Sequence, residues 1–132
     1  MSDIEDMIEL ARRAMGRAYA PYSNFPVGAA VRGESGELYA GCNVENSAYP
    51  QGWCAEASAI AALVVAGERR IVEVAVMGRG EALAAPCGGC RQKLREFADD
   101  AVKIHLCGPE GLRRTLTLGE LLPVAFGPEN LR

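Results

Sequence analysis

Histidine is all but missing from this chain: His105 is the only one among 132 residues. Any chemistry here must run without imidazole, and His105 itself reads as an exposed strand residue rather than a ligand or base. An excess of basic charge is missing too. Lys and Arg number 14 against 17 Asp and Glu, for a net charge of −3, and no basic stripe appears, which weighs against a nucleic-acid partner. The longest apolar stretch, Ala57 to Ala66, is too short to span a membrane. The opening residues Ser2, Asp3, Ile4, Glu5 and Asp6 are acidic rather than basic, so no signal peptide is expected. Linkers, low-complexity tracts and long repeats are lacking as well. These absences predict a single cytoplasmic domain over residues 1–132 with a small ligand. In that compartment five cysteines are metal ligands, core residues or catalysts before they are disulfides.

What is present is periodic. Ser2 with Glu5 makes a capping box, and Ile4, Met7, Ile8, Ala11, Met15 and Ala18 recur at helical spacing up to Pro21. Val27–Arg32 and Leu38–Asn43 read as strands around the turn Gly33-Glu34-Ser35-Gly36. Trp53–Ala66 is apolar on nearly every side and ends at Gly67, a buried helix with a glycine stop. Ile71–Met77 reads as a buried strand and Gly88–Ala98 as a helix. In Val102–Cys107, Val102, Ile104 and Leu106 alternate with Lys103 and His105, as in a strand with one wet face. The order α-β-β-α-β-α-β predicts an α/β fold, a sheet with helices on both faces in a three-layer α/β/α sandwich.

On those elements Cys54 falls at the start of one helix, and Cys87 and Cys90 at the start of the next. Helix N-termini favour thiolates through free N–H groups and the positive dipole end. A C-x-x-C turn aims two sulfurs at one metal, and Cys54 completes a tripod. Three protein ligands leave a fourth tetrahedral position open, the mark of a catalytic Zn²⁺ site. Glu56, two residues beyond Cys54, can reach that position without ligating. Together Cys54-Ala55-Glu56 and Pro86-Cys87-Gly88-Gly89-Cys90 spell C-x-E…P-C-x-x-C, the pattern of zinc deaminases with cysteine as first ligand. The competing readings are a closed four-cysteine site drawing on Cys42 or Cys107, a thioredoxin-like pair, or plain buried cysteines. The C-x-E element disfavours the first and the last, a Gly-Gly interior and an unexplained Cys54 disfavour the redox pair, and Cys42 and Cys107 read as small core or strand residues.

Further segments carry a resemblance along the whole chain. Pro21-Tyr22-Ser23-Asn24-Phe25-Pro26-Val27-Gly28-Ala29-Ala30, Gly41-Cys42-Asn43-Val44-Glu45-Asn46-Ser47-Ala48-Tyr49-Pro50, Pro86-Cys87-Gly88-Gly89-Cys90-Arg91-Gln92 and Leu121-Leu122-Pro123-Val124-Ala125-Phe126 stand in the order found in the short, homotetrameric cytidine deaminases, which this chain resembles. The resemblance implies a mixed sheet of about five strands. It also implies zinc held by Cys54, Cys87 and Cys90, and Glu56 moving protons from water to N3 and the leaving amine of cytidine, for pyrimidine salvage. Asn43 and Glu45 would bind the sugar hydroxyls, Phe25 would lie against the base, and the Ala55 N–H would meet its O2. Tyr49 and Phe126 would be lent across subunit boundaries.

One position departs from that family. An arginine usually follows Cys-Ala-Glu, its guanidinium bonding to the cysteine sulfurs; here the residue is Ala57. Zinc with three thiolates already carries excess negative charge, which weakens its Lewis acidity. Loss of one charge-assisted hydrogen bond could cost about one to two decades in rate. Arg91, beside Cys90, is the candidate for compensation. Ala57 alternatively admits another aminopyrimidine nucleoside or a blasticidin-like compound. A non-catalytic, zinc-stabilised nucleoside-binding oligomer is a further alternative, against which Glu56 argues.

Overall fold

The computed structural model describes residues 3–132. Helix α1 (Asp3–Met15) leads into strands β1 (Val27–Gly33) and β2 (Leu38–Cys42). Then follow helix α2 (Ala55–Val65), β3 (Ile71–Gly78), α3 (Gly88–Phe97), β4 (Lys103–Gly108), β5 (Gly111–Thr117) and the short α4 (Leu118–Leu121). The expected Ser2 capping box lies outside the described residues. One five-stranded sheet runs β2-β1-β3-β4-β5. Only β3 and β4 pair in parallel; the other neighbours are antiparallel. The mixed sheet and its helices agree with the expected three-layer fold.

Strand periodicity sorts the core onto two faces. Ala29, Val31, Val74, Val76, Ile104 and Leu106 face α2 and α3, with Ala59, Leu63 and Leu94 filling the space between. Ala30, Ala75, Met77 and Cys107 face Met7, Ile8 and Ala11 of α1. Two glycines let the outer layers settle this close. A Cβ on Gly28 would stand 2.0 Å from the Ala11 carbonyl oxygen, and one on Gly41 would stand 2.3 Å from the Ala59 amide nitrogen. Gly41 thereby seats α2 on β2, which fixes where the N-terminus of α2 points.

Four details differ from the sequence reading. Helix α1 stops at Met15 rather than running on towards Pro21, because Tyr19 leaves the helical path for a bridge to Val44. Helix α2 is buried on one side only: Ala55, Glu56, Ala59, Ile60 and Leu63 face inward, while Val65 is 88% exposed. Strand β5 with α4 follows a stretch whose weak alternation (Leu112, Arg113, Arg114, Thr115, Leu116) suits a sheet edge and carries no strong strand signal.

The fourth difference concerns His105, which is buried rather than wet, with 4% exposure. Register places Arg32 beside Glu73 and His105 beside Thr115, so these side chains share the α1 face of the sheet. His105 Nε2 donates to the Glu73 carboxylate at 2.5 Å, and Nδ1 lies 2.8 Å from the Thr115 hydroxyl. Glu73 in turn meets the Arg32 guanidinium at 3.4 Å. A polar residue sits in an apolar layer because both ring nitrogens are partnered across the sheet. His105→Ala is therefore expected to destabilise the fold by about 2–3 kcal/mol, since it empties a packed site and strips a charge-assisted bond from Glu73. Denaturant unfolding would measure this, and a loss below about 0.5 kcal/mol would contradict it.

Candidate active site

Cys54 is the N-cap of α2 and Cys87 the N-cap of α3; neither side chain caps its own helix. Both sulfurs are thus released from local duty and face one another at 3.9 Å. Cys90, one turn into α3, is fully buried and closes the group. The three Sγ atoms lie within 4.8 Å of one another. Cys107 is instead buried in the α1 layer, and Cys42 sits on β2 outside the cluster. A four-cysteine site is thereby set aside among the described residues.

Glu56 follows Cys54 in the first turn of α2 and is only 4% exposed. Burial pushes its carboxyl above the ordinary range, opposed by its backbone hydrogen bond, by Cys90 and by the charge of Lys93. Burial raises the Cys54 and Cys90 thiols as well, and neighbouring negative charge adds to this. At Cys87 burial pulls the same way, but hydrogen bonds from the Cys90 backbone and from the other two thiols outweigh it, and this thiol is held low. Cys54, Cys90 and the Glu56 carboxyl, crowded together, resist ionisation, and a divalent cation reverses that logic. The sulfur spacing fits one: tetrahedral zinc with bonds near 2.3 Å sets its sulfurs about 3.8 Å apart.

A cavity of about 250 Å³ opens beside the cluster. Cys54, Ala55, Glu56 and Cys87 line it together with Phe25, Val27 and Asn43. Ala55 is the first residue of α2, so its N–H has no acceptor within the helix. Asn43 is held at both ends of its amide: Oδ1 accepts from Val27 N at 2.8 Å and Nδ2 donates to the Phe25 carbonyl at 3.0 Å. A second cavity, about 280 Å³, shares Ser23 with the first and is lined also by Tyr22, Glu45, Asn46, Tyr49 and Gly52. Glu45 is clamped there by the Tyr22 and Ser23 amides at 2.9 and 3.1 Å and by the Ser23 hydroxyl. The Ser23 hydroxyl, with those amides, holds the half-buried Glu45 carboxyl below its usual range.

Two of the sequence candidates lie apart within one chain. Phe126 lines neither cavity; its carbonyl accepts from Gln92 Nε2 at 2.9 Å. Arg91 directs Nε to the Pro86 carbonyl at 2.7 Å and Nη1 to the Leu121 carbonyl at 2.8 Å. Ala57 lines a shallow groove with Trp53, Ile60 and Lys93. The Lys93 ammonium lies over Gly89, 3.7 Å from where a Cβ would stand. Sequence reasoning missed both Lys93 and Ser23. A helical side chain leaning back towards its N-terminus was a usable signal for Lys93; nothing local marked Ser23 as the partner of Glu45.

A sheet-supported pair of helix N-termini, three thiols at zinc spacing and a buried carboxyl beside them define a zinc-dependent hydrolase. The model for the cytidine and deoxycytidylate deaminase zinc-binding region matches residues 1–106. This chain belongs to that deaminase family. It is 42% identical to a cytidine deaminase of Sporosarcina psychrophila over 98% of this chain and 95% of the relative. It is 43% identical to one of Mycobacterium tuberculosis over 92% and 87%. The crystal structure of cytidine deaminase from Burkholderia pseudomallei superposes with a TM-score of 0.89 at 41% identity, covering 96% of this chain and all of the other.

Proposed function

We propose that this protein hydrolytically deaminates cytidine or deoxycytidine, yielding the uridine counterpart and ammonia. The observation that carries the reading is the buried Glu56 carboxyl lining one cavity with Cys54, Cys87, Phe25 and Asn43. Cys54, Cys87 and Cys90 would hold zinc, which when bound supplies Lewis acidity that brings water to a reactive pKa near neutrality. Glu56 would take a proton from the attacking water and deliver it to N3, then carry the remaining proton from the new C4 hydroxyl to the departing amine, which leaves as ammonia as the carbonyl forms. Its raised affinity for protons suits that shuttle. The Ala55 N–H is free to meet O2, and the Phe25 ring offers a face for the base.

Glu45, fixed by Ser23 and Tyr22, accepts from sugar hydroxyls, and the remaining amide capacity of Asn43 serves the same end. The cavity around Glu45 includes no lysine or arginine among its lining residues. A carboxylate without a cation favours a neutral sugar over a 5′-phosphate, hence a nucleoside over a nucleotide. The retained sugar segment also weighs against a blasticidin-like substrate. A non-catalytic binder has no use for a carboxylate held at 4% exposure.

Tyr49 and Phe126, 73% and 58% exposed, are contacts lent to neighbouring subunits of a homotetramer. The apolar outer face of α2, with Trp53, Ala57, Ala61 and Val65, supports such assembly. With its donors turned to the Pro86 and Leu121 carbonyls, Arg91 would offset thiolate charge only through its net charge beside Cys90, and Lys93, whose charge already lowers Glu56, adds a second cation. No helix among the described residues is long and apolar enough to cross a membrane, and a cytoplasmic role in pyrimidine salvage follows from the substrate. Zinc-loaded protein is expected to release ammonia from cytidine and deoxycytidine, and at least about tenfold less efficiently from deoxycytidylate. Equal efficiency on the phosphate would contradict the nucleoside reading.

A further inference from the structure

The part of the base-cavity lining that leads directly into Cys87, at the start of α3, is a weak piece of chain. Residues 79–86 read Arg-Gly-Glu-Ala-Leu-Ala-Ala-Pro, and among the described residues no backbone–backbone hydrogen bond outside the strands ties them down. Yet Ala84 and Ala85 line the cavity, and Cys87 follows directly. Ala84 also packs over Gly78, where a Cβ would stand 2.6 Å from the Ala84 methyl and 3.1 Å from the Phe25 ring. The loop thus supplies part of the cavity lining, packs beside Phe25 at Gly78 and joins directly to the Cys87 thiol.

Two arginines hold it. Arg91 secures the Pro86 carbonyl at its end. At its start, Arg113 of β5 donates from Nη1 to the Gly80 carbonyl at 2.6 Å and the Ala82 carbonyl at 3.2 Å. The other edge of the same guanidinium is fixed by Glu110, with Nε to Oε2 at 2.6 Å and Nη2 to Oε1 at 3.1 Å. The arginine side chain is 18% exposed. Its bed is Gly108, where a Cβ would fall 2.1–2.3 Å from the guanidinium atoms. A rigid planar fork with five donors can engage a carboxylate and two carbonyls at once; an ammonium cannot.

We infer that Arg113, seated on Gly108 and oriented by Glu110, is a positioning residue that braces the 79–86 loop and thereby shapes the base-binding wall of the active site. The inference rests on the proposed nucleoside deamination for its kinetic consequence, but not for the brace itself. The loop wall meets bound base before reaction, so loosening it weakens ground-state binding more than it slows the chemical step.

The test compares Arg113→Ala, Arg113→Lys and Gly108→Ala with wild type in the zinc-loaded protein. Gly108→Ala keeps the arginine but evicts it from its bed, and covers the case in which Arg113→Ala fails to fold. KM for cytidine is expected to rise about tenfold in all three, with kcat falling by less. Limited trypsinolysis supplies a readout independent of activity: cleavage after the exposed Arg79 should become about tenfold faster, because nicking requires local release of the loop. Rescue of KM by lysine would overturn the fork argument. Unchanged KM would overturn the positioning role whatever the trypsin result, and unchanged nicking would overturn the brace. A wild-type chain that leaves cytidine untouched would refute the proposed function instead, while the nicking rates still decide whether Arg113 holds the loop.

Discussion

Glu56→Gln is expected to lower kcat for cytidine by about 10³–10⁴-fold while zinc stays bound at its wild-type stoichiometry. Glutamine matches glutamate in size and fills the same buried space, so packing around Ala59 and Leu63 is retained. The amide cannot accept a proton from water or hand one to N3. The sulfurs of Cys54, Cys87 and Cys90 form the metal cluster without this carboxyl, so metal affinity has no reason to collapse. Stability should hold or rise slightly, because a neutral amide at 4% exposure is cheaper to bury than a carboxylate. Steady-state ammonia release and a zinc assay on the same sample decide it. Turnover within tenfold of wild type would remove Glu56 from the mechanism.

Cys90→Ala is expected to abolish turnover by a different route, through the metal. Cys90 is the buried member of the cluster, fully enclosed on α3. Its loss leaves two more exposed thiols that cannot close a tripod. Zinc affinity should fall by more than the about 10–100-fold that removing an outer partner of a metal ligand costs. Metal linkage gives a second measure. A ligand present at about a thousand times its Kd stabilises the folded state by about 4 kcal/mol. Chelation should therefore lower the Tm of wild type and leave that of Cys90→Ala unmoved. A variant that keeps one zinc per chain after chelator treatment would show that the thiols are not the ligands. Paired with Glu56→Gln, this separates loss of the proton carrier from loss of the metal.

The legibility of the sequence varied with the range of the interaction. Helices α2 and α3 were readable to within two residues at each end because their starts and stops are local. Cys54 and Cys87 begin them, and Gly67, at φ +98°, follows the end of α2. The convergence of the two N-termini was readable too, since C-x-E and C-x-x-C each place a sulfur at a helix start. The inner strands β1 and β3 announced themselves by apolar runs, and β4 by the alternation of Val102, Ile104 and Leu106 with polar residues. Strand β5 did not, because an edge strand with Arg113 and Arg114 buries little on either face. His105 misled for a related reason. Alternation with Lys103 suggested water on that side, yet Lys103 is at the exposed end of β4 while α1 covers the rest.

By itself, then, the sequence determined the chemistry that depends on short spacings: three thiols and a carboxylate at helix starts, the segment bearing Asn43 and Glu45, and a three-layer α/β/α plan. Side-chain periodicity and helix capping act over a few residues, so their record is local. Only the tertiary structure decided which polar groups serve the site and which serve the fold. Ser23 reaches Glu45, Arg91 turns to the Pro86 and Leu121 carbonyls, and Arg113 reaches across to Gly80 and Ala82. His105 finds Glu73 only through the register of neighbouring strands. Such partners are far apart along the chain and are chosen by sheet order and packing, for which no spacing in one sequence carries a mark.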